Sequence, residues 1–235
     1  MIAAIVNCLV ILFGGAIGIL FGKKIKSRYS ETIFSGLALV VCVIGIMSAV
    51  KTNNVLHIII CLVIGTIIGE ALNIESRLDD LGEFLKRKIV KGDDSSKFTE
   101  AFVTASLLFC VGSMAIMGSL NAGINKDYSI IFSKSVIDGI TAITFASTMG
   151  IGVLFSGIIV LFYQGALTLL AGWIAPYLSA AVIAEMTAIG GCMLIAMSFN
   201  MLNLGKHIRI ANMIPAIFLP IVYIPIVNIL MGLPN

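Results

Sequence analysis

Charge is what this sequence has least of. Only 11% of its 235 residues are Asp, Glu, Lys or Arg, where a soluble domain carries about 25%. A soluble chain of this length could not cover its apolar surface with so few charges, so lipid must be the solvent for most of it. The hydrophobic share of 59% and the mean hydropathy of +1.10 agree. Histidine is nearly absent too: His57 and His207 stand far apart. The five cysteines (Cys8, Cys42, Cys61, Cys110 and Cys192) all fall inside apolar runs, without a CxxC or a Cys/His cluster. That spacing builds neither a metal site nor a disulfide framework, and the thiols read as small buried apolar residues.

Motifs of hydrolytic and nucleotide chemistry are missing as well. There is no GxGxxG after a strand, no GxxxxGK(S/T), no HExxH and no GxSxG. No catalytic residue, metal or cofactor is therefore expected, and the chain does not read as an enzyme. The net charge of +3 would hint at nucleic acid in a soluble protein. Here the charges lie between apolar runs, where orientation in a bilayer accounts for them and no nucleic-acid partner is expected.

What is present is a series of runs of membrane length. About 20 apolar residues in a helix cross the roughly 30 Å hydrocarbon core, and the backbone must be satisfied internally while doing so. Eight runs qualify: 2–22, 31–50, 55–72, 98–119, 130–147, 151–172, 186–204 and 210–230. The expected fold is an all-α polytopic bundle, one transmembrane domain over residues 1–235, with the lipid bilayer as its partner. The first run opens at Ile2 with no basic stretch before it and no small-residue cleavage pattern after it. It reads as a retained span.

Lysine and arginine provide an independent test, because they favour cytoplasmic loops. With the N-terminus outside, the cytoplasmic segments hold Lys23, Lys24, Lys26, Arg28, Arg77, Lys86, Arg87, Lys88, Lys91, Lys97, Lys206 and Arg209. The outer segments hold only Lys51 and Lys126, and Lys134 lies within a span. Merging spans five and six, which only Ser147-Thr148-Met149-Gly150 separates, would move Lys206 and Arg209 to the wrong side. The bias supports eight spans with both termini outside. Residues 73–97 form the one sizeable polar segment. Ile74, Leu78, Leu81 and Leu85 recur at helical spacing, with acidic residues leading and basic ones following. That order suits a helix dipole and predicts an amphipathic helix on the cytoplasmic surface, a connector or a docking element.

Rows of small residues predict close helix packing: Gly14, Gly18 and Gly22 in span one, Gly65 and Gly69 in span three, Ala142 and Ala146 in span five. They serve a compact bundle or a homo-oligomer contact. An offset of 154 residues lays Glu31 on Glu185, Gly36 on Gly190 and Met47 on Met201. The same offset relates spans 1–3 to spans 6–8. Five crossings separate the two sets, so a true repeat is inverted in topology, a recurring plan of secondary transporters.

An ionisable residue in mid-membrane is costly and is a functional candidate by default. Asp138 lies at the centre of span five, with Lys134 one turn away, about 6 Å along the axis. The pair reads as a proton, cation or carboxylate site, or as an ion pair that fixes packing. Gln164, Asn7, Asn200 and Asn203 are further polar residues within spans, each able to bond across helices. The run from Gly112 through Ser113 and Gly118 to Gly123 invites an interrupted helix, and Pro215, Pro220 and Pro225 invite an irregular span eight. Glu31, Glu100 and Glu185 stand at expected span starts, as capping or interfacial carboxylates, and Glu70 is a candidate gate.

Several stretches together carry a family resemblance. Lys134-Ser-Val-Ile-Asp138-Gly, Phe145-Ala-Ser-Thr-Met-Gly-Ile-Gly-Val153 and Tyr163-Gln-Gly-Ala166 are three of them. Ile64-Gly-Thr-Ile-Ile-Gly-Glu70, Cys110-Val-Gly-Ser-Met-Ala-Ile-Met-Gly-Ser119 and Arg209-Ile-Ala-Asn-Met-Ile-Pro-Ala216 are the others. The chain resembles, over essentially its whole length, the YdfK/YqgA-type family of bacterial membrane proteins, a domain of unknown function. The resemblance implies a bacterial cytoplasmic membrane and brings no substrate or catalytic residue with it. The residues themselves lead to an ion- or proton-coupled transporter of a small solute. Asp138 would be the coupling or substrate site, Lys134 its charge partner, and Gln164, Ser113 and Asn200 the polar lining. A passive channel and a non-transporting scaffold are the rival expectations.

Overall fold

The computed structural model describes residues 1–22, 27–77, 80 and 95–231. Among them the chain is helical throughout, without a strand. The helices are α1 (Ile2–Gly22), α2 (Ser27–Ala49), α3 (Val55–Leu72), α4 (Ser95–Cys110), α5 (Ser113–Ile124), α6 (Ser129–Met149), α7 (Gly152–Leu169), α8 (Ala171–Ile174), α9 (Ala180–Met201), α10 (Ile214–Phe218) and α11 (Pro220–Met231). Short 3-10 turns at Ala175–Tyr177 and Ile210–Met213 precede α9 and α10.

Among the described residues six helices are long and apolar enough to cross a membrane: α1, α2, α3, α6, α7 and α9. The pairs α4/α5 and α10/α11 are bent by 59° and 43°, which makes the count eight if each pair is one span. Both bends have local causes. The first falls at Gly112, whose φ of 116° is a backbone conformation that favours glycine. The expected interruption thus sits at the head of the Gly/Ser run, and α5 continues helically through the rest of it. The second falls at Leu219–Pro220, where proline opens a helix but cannot continue one. The turn between α6 and α7 is made by Gly150, at φ 83°. Residues 74–77 are helical, while most of the expected amphipathic helix over 73–97 lies outside the described residues.

One boundary departs from expectation with consequences. Span seven begins at Ala180 rather than 186, because Ser179 caps it by accepting from the Val182 N–H (3.4 Å). Glu185 is therefore inside α9 and not at its start. Glu31 likewise lies within α2, which begins at Ser27.

The small-residue rows find their partners inside the chain. Gly14, Gly18 and Gly22 of α1 press on the backbone of Gly139, Ile143 and Ser147 of α6, with Ala142 and Ala146 between them. A methyl at Gly14 would stand 2.6 Å from the Gly139 carbonyl oxygen. The stripe of span one and the stripe of span five are thus the two halves of one seam. Gly45 of α2 meets Gly191 of α9 in the same way, and Gly65 and Gly69 of α3 meet Ala216 and Asn212. Lipid supplies no hydrophobic drive between helices, so such close backbone approach is what holds the bundle. The outside is correspondingly apolar: Phe13, Leu20, Ile67, Val136, Ile140 and Phe162 are all exposed. A continuous surface of this kind belongs in lipid.

Candidate functional site

The charged residues of α6 are buried together. Lys134 and Asp138 face the same way one turn apart, and the ammonium donates to both carboxylate oxygens, at 2.7 Å and 2.5 Å. Their side chains are only 8% and 6% exposed. Two other spans complete the site. Asn7 of α1 donates through Nδ2 to Asp138 Oδ2 at 3.0 Å and to Gln164 Oε1 of α7 at 3.2 Å. The glycine seam brings Asn7 there, since α1 lies tight along α6 only where its small residues allow. Lys134 Nζ also stands 6.0 Å from the ring centre of Phe109 on α4, a favourable position for a cation.

Asn7 and Gln164 are fully buried. Their second polar atoms, the acceptor Asn7 Oδ1 and the donor Gln164 Nε2, have no hydrogen-bond partner among the described residues. Buried polar groups are normally paired. The site therefore couples a closed ion pair to one unspent acceptor and one unspent donor, deep among helices that cross the membrane.

Not every expected member joins this site. Asn200 lies at the far end of α9, where it clamps a turn: Nδ2 donates to the Ile208 carbonyl (2.8 Å) and Oδ1 accepts from the Ile208 N–H (2.9 Å). Its polar atoms are used by backbone eight residues ahead, so it stands away from Asp138 and lines the large cavity instead. Glu70 pairs with Arg209 at 3.5 Å, with both side chains about half exposed or more. This is a surface ion pair, weak by nature. The side chain of Ser113 lies outside the described residues. Asn7, by contrast, belongs to the site's centre, although in the sequence it was one of several polar residues equally suited to bond across helices.

A second buried carboxylate stands elsewhere. Glu185 is fully buried in α9. It accepts from the Thr52 hydroxyl (2.6 Å), from the Asn53 N–H (2.7 Å) and from the Asn54 N–H (3.3 Å). These groups open α3, whose dipole favours an anion. His57 Nδ1 lies 3.6 Å away. The expected role of Glu185, easing the start of its own helix, is replaced by binding at the start of another.

Two hollows flank α4. A cavity of about 670 Å³ opens among the ends of α2, α4, α6 and α9 and is walled in part by Glu31, Glu100, Thr148 and His207. A smaller crevice of about 160 Å³ lies between α4, α7 and α10, lined by Cys110 and Tyr163 among apolar neighbours. Val103 borders both.

An all-α bundle with a lipid-suited exterior and an ion pair sealed among its spans is a polytopic membrane protein. The matching family model, described as a protein of unknown function (DUF554), covers residues 2–225, and the chain belongs to that family. It is 28% identical to the "Uncharacterized membrane protein YdfK" of Bacillus subtilis, over 97% of each chain. It is 29% identical to the "Uncharacterized protein YqgA" of Escherichia coli K12, over 93% of this chain and 94% of that one. No solved structure matches it.

Proposed function

We propose that this protein is a secondary transporter of a small solute in a bacterial cytoplasmic membrane, coupled to an ion or proton gradient, with both termini outside. One observation carries the reading. Asp138 and Lys134 pair in mid-span, and Asn7 and Gln164 bring to them a buried acceptor and a buried donor without a partner among the described residues. Ionisable groups placed so deep mark pathways for ions and solutes. An ion, a proton or a polar solute can enter by exchanging with one arm of the pair while the two amides take up its remaining hydrogen bonds.

The packing supports an inverted repeat as the frame for alternating access. α2 packs chiefly on its counterpart α9 and α3 on α10, while α1 packs first on α6 and then on its counterpart α7. Such mates meet across the pseudo-two-fold of inverted-repeat transporters. The large cavity lies at the end of the bundle where the basic loops lie, which the lysine bias places in the cytoplasm. A cavity open at that end supports an inward-open reading.

The test is a thermal-stability screen of the purified protein against ions and small metabolites, with Asp138→Asn in parallel. A ligand at 100 times its dissociation constant should stabilise the native state by about 2.7 kcal/mol. A stabilising ligand whose effect disappears in Asp138→Asn supports a solute site and names the compound for flux assays. The absence of any hit, with Asp138→Asn merely less stable, overturns transport in favour of a scaffold held by a structural ion pair.

A further inference from the structure

We infer that Glu185 and Glu31 are the two gate carboxylates of this protein, Glu185 closing the outer side as it stands and Glu31 closing the inner side in the alternate state. The inference rests on the transport reading and on a difference between two related halves of one molecule.

Glu185 and Glu31 are counterparts at the offset of 154 residues, on the mated helices α9 and α2. The same offset carries the loop Thr52-Asn53-Asn54 onto Lys206-His207-Ile208. Each loop leads into the helix that follows, α3 in one case and the turn before α10 in the other. The two carboxylate–loop pairs are therefore counterparts at opposite ends of the bundle, with Lys206 where the outer loop has Thr52 and with the Ile208 N–H held by Asn200 Oδ1.

The two copies are in different states. At one end Glu185 is fully buried, and hydroxyl and backbone N–H groups of residues 52–54 hold it at 2.6–3.3 Å. At the other end Glu31 is exposed. Glu31, His207 and Ile208 are walls of the open cavity of about 670 Å³. One half is latched and the other stands apart. Exchange of the two arrangements would draw the Ile208 N–H away from Asn200, bring Glu31 onto the 206–208 loop, close the inner cavity and release Glu185 to an outer one. The chemistry of the outer latch is suited to reversal, because Glu185 is held by a hydroxyl and backbone N–H groups and not by a lysine or arginine among the described residues.

A labelling experiment reads this without any substrate. In a chain whose five native cysteines are replaced by alanine, Thr148→Cys places one thiol on the wall of the inner cavity. Its rate of reaction with a charged maleimide reports how open that cavity is. Glu185→Gln weakens the outer latch, so the inner cavity is open less of the time and the rate falls. Glu31→Gln weakens the inner latch, so the rate rises. Loss of one hydrogen bond to a charged group shifts a two-state equilibrium by about tenfold or more, which sets the expected scale for the Glu185→Gln arm. Should Glu185→Gln not fold, Thr52→Val removes only the partner hydroxyl and must move the rate in the same direction. Opposite signs from the two carboxylates are the expected result, because a merely structural role gives either no change or a common loss. Equal rates, or the same sign from both, overturn the gate assignment. Reciprocal labelling with no ligand found at Asp138 keeps the gates and overturns transport. Unchanged labelling with a ligand bound at Asp138 does the reverse.

Discussion

Lys134→Met is the perturbation that tests the charged site most sharply. The ammonium is the only cationic group on the Asp138 carboxylate among the described residues, and it reaches both oxygens. Without it the carboxylate keeps a single N–H from Asn7 at 3.0 Å. Removing one partner of a buried ion pair costs about 3–5 kcal/mol, because the other charge is left desolvated and uncompensated. Lost hydrogen bonding alone would not reach that figure, since such bonds between transmembrane helices average about 0.6 kcal/mol and rarely exceed about 1.7. The double variant Lys134→Met/Asp138→Leu removes both charges at similar volume, and buried pairs replaced so are often neutral in stability. The expected outcome is a loss above about 3 kcal/mol for the single variant and recovery to within about 1–2 kcal/mol of wild type for the double. Unfolding in mixed micelles, followed by circular dichroism, measures both. A single-variant cost below about 1 kcal/mol, with no recovery in the double, would mean that the pair is solvated as on a surface. The reasoning from burial would then be wrong.

Other expectations follow from the packing and the loops. Gly18→Val should prevent α1 from seating on α6, since even a methyl there meets the Ile143 carbonyl and Ala146; failure to purify as a monodisperse folded species checks it. Asn200→Leu removes both hydrogen bonds to the Ile208 backbone, at a cost of about 1–2 kcal/mol, and hydrogen exchange at Ile208 should accelerate while the α6 core keeps its protection. Asp127, ahead of α6, has its carboxyl held below the usual range by the Ser129 hydroxyl and then by the Ser129 N–H. A depressed carboxyl contributes stability above its ordinary pKa and loses it as pH falls through the lowered one. Asp127→Ala should therefore be less stable than wild type at neutral pH, with the difference shrinking below about pH 4, as paired melting curves would show. A difference that persists unchanged in acid would refute that role.

Much of this molecule was legible before any fold was known, for physical reasons that act locally. A run of apolar residues must span lipid whatever it packs against, so the eight candidate spans emerge from composition and from lysine placement. Gly150 and the prolines of span eight act on their own backbone, and the turn and the bend occur where they stand. Lys134 and Asp138 meet because four residues of helix bring any such pair together. What tertiary structure alone decided is which distant groups these residues face. Asn7 lies 131 residues from Asp138 and 157 from Gln164, and in the sequence it looks no different from Asn200, which clamps a turn at the wall of the large cavity. Glu185 took its partners from the start of α3, more than 130 residues away, because Ser179 lengthened its helix and the Gly45–Gly191 crossing drew α9 against α2. In lipid a polar side chain is costly without a partner, but only the packing of helices determines which partner it meets.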